Sequence, residues 1–240
     1  MARADLAARL LTFASIVALA GCGGSGDAPS ATPTARQPSA LDGCVRPSAR
    51  AKIVRFAAGS ESLHGVVVGS GEVGVVLAHQ LNANLCSWLP FARRVADEGG
   101  QALAFDFGDR PLDTEVRAAA AELRRRGAQT IVLVGASMGG TASLVAASED
   151  DDVTRVASLS GPRVFQGLSA LRAARRLTIP ALFIATSNNR PFTADARGLF
   201  RASPSKNKDL LIVPGFEHGT DMLRYARVRK ALVAFVFGRE

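Results

Sequence analysis

The 240-residue sequence has little of what most chemistry-specific sites are made from: three cysteines, three histidines, one tryptophan and one tyrosine. His64, His79 and His218 are far apart, and neither a CxxC nor an HxxxH spacing occurs, so no metal site is expected. No strand-to-helix turn carries the Gly-x-Gly-x-x-Gly dinucleotide pattern, so no nucleotide cofactor is expected either. There is no internal repeat and no second domain. Lys and Arg exceed Asp and Glu by 29 to 21. The basic residues are scattered, apart from Arg124-Arg125-Arg126 and Arg175-Arg176, and aromatics do not interleave with them. That pattern suits a solvated helix face or attraction to an anionic surface, and it argues against nucleic-acid binding. With 48% apolar and 21% charged residues the composition is that of a globular domain.

A long apolar run is also missing. "LLTFASIVALAG", preceded by Arg3 and Arg9, is too short for a membrane span and fits a signal peptide over residues 1–21. It ends in Leu19-Ala20-Gly21-Cys22, which looks like a bacterial lipobox with Cys22 as the acylated residue. The following stretch, through residue 50, is rich in Gly, Ser, Pro, Ala and Thr. It is expected to be a flexible tether from Cys22 to the domain, spanning about 30 Å as a coil. These features predict an exported, lipid-anchored protein of the cell envelope, with the membrane face left open. Cys44 and Cys86 remain, and in an exported chain they invite a disulfide that pins the end of the tether to the domain.

From residue 51 to 240 short apolar runs alternate with amphipathic segments. "KIVRF" and "LHGVVVG" read as an opening hairpin, and strands follow in "VGVVLAH", "QALAFDF", "TIVLVG", "VTRVASLSG", "IPALFIATS" and "KDLLIVPG". Helices are expected in "SWLPFARRVADEG", "TEVRAAAAELRRRG", "MGGTASLVAASE", "FQGLSALRAARR", "ADARGLFRAS" and the terminal "DMLRYARVRKALVAFVF". The alternation predicts an α/β domain with a mostly parallel sheet of roughly eight strands and helices on both faces.

Gly135-Ala136-Ser137-Met138-Gly139 lies between the strand "TIVLV" and an alanine-rich helix. A serine there would sit on a strained turn with its hydroxyl above the carboxyl edge of the sheet, and the Met138 N–H would point at a developing oxyanion. On these residues the chain resembles the α/β-hydrolase family, of the dienelactone-hydrolase and serine-esterase type, over residues 52–240. The resemblance implies Ser137 as nucleophile. It implies His218, in the loop "PGFEHG" after the last strand, as general base. It also implies a second oxyanion N–H after the strand "VVLA". Relatives have His-Gly there, whereas this chain has His79-Gln80-Leu81, so Leu81 is expected to supply the N–H, with Gln80 as the alternative. His79 is expected to be a structural hydrogen-bonder.

The triad acid is the missing piece. Relatives carry aspartate shortly after the strand "IPALFIATS"; here the residues are Asn188 and Asn189. Asp195 is the nearest carboxylate, in the first turn of the next helix, where the helix dipole alone also favours it. Asp106 and Asp109 are expected to be structural, pairing with Arg110. Three outcomes stay open: a slow hydrolase using asparagine, an active one using Asp195, or a silent fold acting as a binding module. Only "GPRVFQGLSALRAARRLT" lies where relatives insert a cap, which leaves room for one helix and no lid. The expected partner is a small-molecule ester-type substrate, with thioester or amide still open. Asp195→Ala should abolish ester turnover if Asp195 is the acid and leave it intact otherwise.

Overall fold

The computed structural model describes residues 41–45, 48 and 50–239. The expected signal peptide, the lipidation at Cys22 and most of the tether lie outside the described residues. After a short helix α1 (Leu41–Cys44), the hairpin β1 (Ala51–Ala58) and β2 (Glu61–Gly69) forms as the sequence predicts. Six more strands complete an eight-stranded sheet: β3 (Val73–Ala78), β4 (Gln101–Phe105), β5 (Thr130–Ala136), β6 (Val153–Leu159), β9 (Ala181–Thr186) and β10 (Lys208–Val213). The order is β1-β2-β4-β3-β5-β6-β9-β10. Only β2 runs against the others.

Side chains alternate across the sheet with the two-residue period of a strand. Ile131 and Leu133 of β5 face one core, and Val132, Val134 and Ala136 face the other. The first core is covered by α3 (Leu112–Arg125), α4 (Met138–Ala147), α5 (Ala170–Ala174) and α6 (Phe192–Ala202). The second is covered by α2 (Leu89–Asp97) and α7 (Ala226–Val236). All ten residues of α4 are buried, which explains its small, wholly non-charged sequence: it is packed on every side and has no solvent face to mark with charge.

Three expected helices come out differently. Residues 165–176 do not form one helix. Gln166 and Gly167 both take positive φ, 44° and 81°, and turn a small hairpin of β7 (Val164–Phe165) and β8 (Leu168–Ser169) before α5. The terminal helix begins as a 3-10 segment, Gly219–Arg224, and becomes α-helical only at Ala226. The helix after β3 likewise opens with a 3-10 turn, Leu85–Trp88, before α2 begins at Leu89 with Pro90 in its first turn. The short β7–β8 hairpin and α5 are all that lies between β6 and β9, so the absence of a cap holds.

Cys44 and Cys86, 42 positions apart in sequence, are joined by a disulfide with 5.8 Å between their α-carbons. In the chain-entropy model a loop of that size is worth about 4 kcal/mol. Replacing both cysteines by serine is therefore expected to lower the free energy of unfolding by about 2–4 kcal/mol in urea titration.

Candidate active site

β5 ends at the sheet's carboxyl edge and the chain turns at Ser137 straight into α4. Ser137 has φ 49° and ψ −116°, a conformation costing about 1–3 kcal/mol for a residue with a side chain. Its N–H donates to Leu159 O at 2.8 Å and its carbonyl accepts from Thr141 N at 3.0 Å, so the strained turn is tied to β6 on one side and to the helix on the other. Gly135 is required here: a β-carbon at that position would overlap the Gly139 carbonyl, where the returning helix crosses the strand. Ser137 is 9% exposed. The N–H groups of the first turn of α4, Met138 among them, have no intrahelical acceptor and gather the positive end of the helix dipole beside the serine.

β3 pairs with β5, Ala78 opposite Gly135, so the residues that follow β3 lie next to the serine turn. His79 is held through both ring nitrogens. It donates from Nδ1 to Gln80 O at 2.8 Å and accepts from Phe107 N at 3.3 Å on Nε2. Burial holds it below the ordinary histidine value, with the Gln80 carbonyl and Asp106 opposing, so it stays a neutral structural group. Asp106 accepts from Leu85 N at 2.7 Å and steadies the loop that contains Leu81. Arg110 pairs with Glu61 and not with either aspartate. The side chain of Gln80 reaches a distant segment of the chain. Its Oε1 accepts from Thr220 N at 2.7 Å and Thr220 Oγ1 at 3.1 Å, which clasps the segment after His218 onto the end of β3.

His218 follows β10 and stands just before the 3-10 turn. The next residue, Gly219, has φ 55°, donates to Ser160 Oγ at 3.4 Å, and lies so close to β5 that an added β-carbon would be 3.2 Å from Ala136. The imidazole and the serine turn thus share the carboxyl edge of the sheet. The His218 ring packs against Phe192, centroids 4.2 Å apart. Desolvation by burial holds its pKa below the usual 6.5, with the nearby Asp221 charge opposing.

What faces Nδ1 of His218 is Asn189, with its Nδ2 at 2.9 Å. The same Nδ2 donates to Glu217 O at 3.1 Å, and Thr186 Oγ1 donates to that carbonyl at 2.8 Å. This carbonyl fixes the amide: turned over, Asn189 would set its own oxygen against the oxygen of Glu217. Because an NH2 group only donates, Nδ1 must accept, and the neutral ring carries its proton on Nε2. Asn188 is exposed and uses its backbone N–H on Gly215 O at 2.8 Å. Asp195, the carboxylate expected as an alternative acid, is engaged elsewhere: it pairs with Arg163 Nε at 2.6 Å. It sits in the first turn of α6, six residues beyond Asn189, and that turn presents it to the segment after β6. Asp195→Ala is accordingly expected to leave ester turnover within a few-fold of wild type while lowering stability by about 1 kcal/mol or less, since Asp195 is buried but its partner Arg163 is half exposed and stays solvated without it. Parallel kinetics and urea unfolding separate the two effects.

Sequence reasoning missed Phe192, Thr186, Thr220 and the Glu217 carbonyl. None belongs to a local motif, and only the odd Gln80 marked the place where one of them would be met.

The model of the esterase family, described as "Putative esterase", matches residues 82–222. No curated protein matches the chain. Among solved structures, dienelactone hydrolase from Anabaena variabilis superposes with a TM-score of 0.68 at 19% identity, covering 79% of this chain and 98% of that one. The esterase domain of a Rhodothermus marinus protein superposes at 0.66 with 21% identity, over 79% of this chain and 98% of its own. Est1E from Butyrivibrio proteoclasticus gives 0.66 at 16% identity, over 78% and 98%. These likenesses establish the shared α/β-hydrolase architecture, and the family match covers more than half of the sequence. The chain belongs to the esterase family, as an enzyme of the serine-hydrolase type.

Proposed function

We propose that the protein is a membrane-tethered carboxylic-ester hydrolase that works through an acyl-enzyme on Ser137 and is slow because Asn189 stands where a carboxylate would serve. The observation that carries this reading is the positive-φ serine turn on the same sheet edge as His218, whose Nδ1 meets an amide. In the reaction, Ser137 Oγ attacks the ester carbonyl carbon and its proton passes to Nε2 of His218. The oxyanion is held by the N–H groups of Met138 and Leu81. Collapse expels the alcohol, which takes the proton from Nε2, and water then repeats the sequence to free the acid.

The first transfer needs a bare Nε2, which the resting tautomer does not offer. Moving the ring proton to Nδ1 requires Asn189 to turn over and lose its bond to Glu217 O, a cost of about 1–3 kcal/mol. The imidazolium formed afterwards has no facing negative charge. Asn189→Asp supplies both an acceptor for Nδ1–H and that charge, which outweigh the cost of setting one carboxylate oxygen beside the Glu217 carbonyl. It is expected to raise kcat by at least about 100-fold, measured on a p-nitrophenyl ester.

The pH profile should move with it. Burial holds the wild-type imidazole below 6.5, so its deprotonated form persists into mildly acidic solution. A carboxylate at 189 favours the protonated ring, so the acidic limb of kcat/KM should shift to higher pH in the variant.

The amide at 189 also favours a second reading, a hydrolase fold that binds without turning over. A fluorophosphonate probe separates the two. Labelling that requires Ser137, and that speeds up in Asn189→Asp, supports the enzyme; a folded protein inert in both forms supports the binding module. The tether rests on the Leu19-Ala20-Gly21-Cys22 motif, which predicts acylation at Cys22, read out by mass spectrometry of the envelope form.

A further inference from the structure

The disulfide changes the edge of the domain from which the N-terminal chain departs. β1 begins at the amino edge of the sheet: Ala51 pairs with Val68, next to Gly69, which pairs with Gln101 at the start of β4. Arg50, just before it, reaches Asp97 at the far end of α2 at 3.2 Å. A chain attached only there would leave from the edge opposite the active site. Cys86, however, lies in the 3-10 turn that follows the Leu81 loop, and Leu85 beside it is bound to Asp106 just past the carboxyl end of β4. Joining Cys44 to Cys86 therefore fixes the chain at the active-site edge.

That edge is also where the molecule shows its apolar side chains. Four large hydrophobic residues are exposed among the described residues, and three of them stand in segments that follow β3, β6 and β10: Leu81 (56%), Val164 (61%) and Phe216 (76%). The fourth, Ile53, is on the edge strand β1. Arg190, exposed in the segment after β9, makes no ion pair among the described residues. The opposite edge carries Arg155 and Lys206 beside a groove that also holds Asp209, but it shows none of these exposed apolar residues and is not where the crosslink holds the chain. Only 22 residue steps separate Cys22 from Cys44.

We infer that the carboxyl edge of the sheet docks on the bilayer that holds the anchor, with Leu81, Val164 and Phe216 at the lipid boundary, so that the substrate is an ester whose acyl part is dissolved in the membrane and enters the site from the lipid side. This rests on the lipid anchor at Cys22 proposed above. The disulfide is the orienting device and the exposed apolar residues are the contact.

The test uses the acylated full-length chain reconstituted in phosphatidylcholine–phosphatidylglycerol vesicles with brominated acyl chains, which quench nearby tryptophan. The native Trp88 is fully buried, and its background is subtracted with matched chains that keep or lack the disulfide and carry no added tryptophan. Phe216→Trp should lose its added emission in these vesicles, while Lys206→Trp, at the opposite edge, should keep it. Adding Cys44→Ser and Cys86→Ser to the Phe216→Trp chain should restore emission, with circular dichroism confirming the fold. A chain that floats with the vesicles while both added tryptophans stay bright, or are quenched alike, overturns the docking and leaves the anchor standing. A chain that does not float overturns both. Emission at 216 that is lost regardless of the disulfide overturns its orienting role.

Discussion

At Ser137 a strand has to become a helix within one residue, and the site depends on the close crossing this forces. The positive φ of that serine is tolerated because the turn is over-determined: β6 holds its N–H, Thr141 holds its carbonyl, and Gly135 leaves room for the returning backbone. The crossing places the open end of α4 beside β3 and obliges the Leu81 loop and the His218 loop to meet on the same edge. The all-buried character of α4 follows as well, since a helix wedged between the sheet and its neighbours has no solvent side.

Most of that arrangement is local in sequence, which is why it could be read there. An apolar β-branched run, a glycine, a serine and a small-residue helix specify their own turn, and the position of His218 after the last strand follows from the alternation of elements. The misreadings have physical causes. The run after β6 has helical spacing in its apolar residues, but Gln166 and Gly167 both take positive φ, which only the glycine adopts freely, and the turn they make interrupts any helix there. Asp195, the acid in one of the three outcomes the sequence left open, is carried to Arg163 by the rotation of α6.

What could not be read is what depends on contacts far apart in the chain. Gln80 stood out in the sequence as a replacement for the relatives' glycine; the role of its side chain lies 140 residues away, at Thr220. Asn189 was recognisable as a departure from the family pattern, but its effect depends on which way the amide points. That is set by a backbone carbonyl and a threonine hydroxyl contributed by two other segments. No composition or periodicity encodes an amide orientation. The charge of the loop follows the same logic: Glu217 is held ionised first by the Tyr225 hydroxyl and also by Arg224, a pairing that stiffens the residue whose carbonyl fixes the asparagine.

The two halves of the site do not share one resistance to fluctuation. The serine half is part of a helix with no exposed residue and a strand in the middle of the sheet, so it can open only when the whole domain does. The histidine half stands on a half-buried loop and a 3-10 turn held to the sheet by side-chain hydrogen bonds with Gln80, Ser160 and Thr186. Brief, partial unfolding should therefore begin on that side, with amide hydrogens near Thr220 exchanging well before those of α4. The nucleophile would then remain in place while its partner comes and goes, and heating would silence the enzyme while its core is still intact.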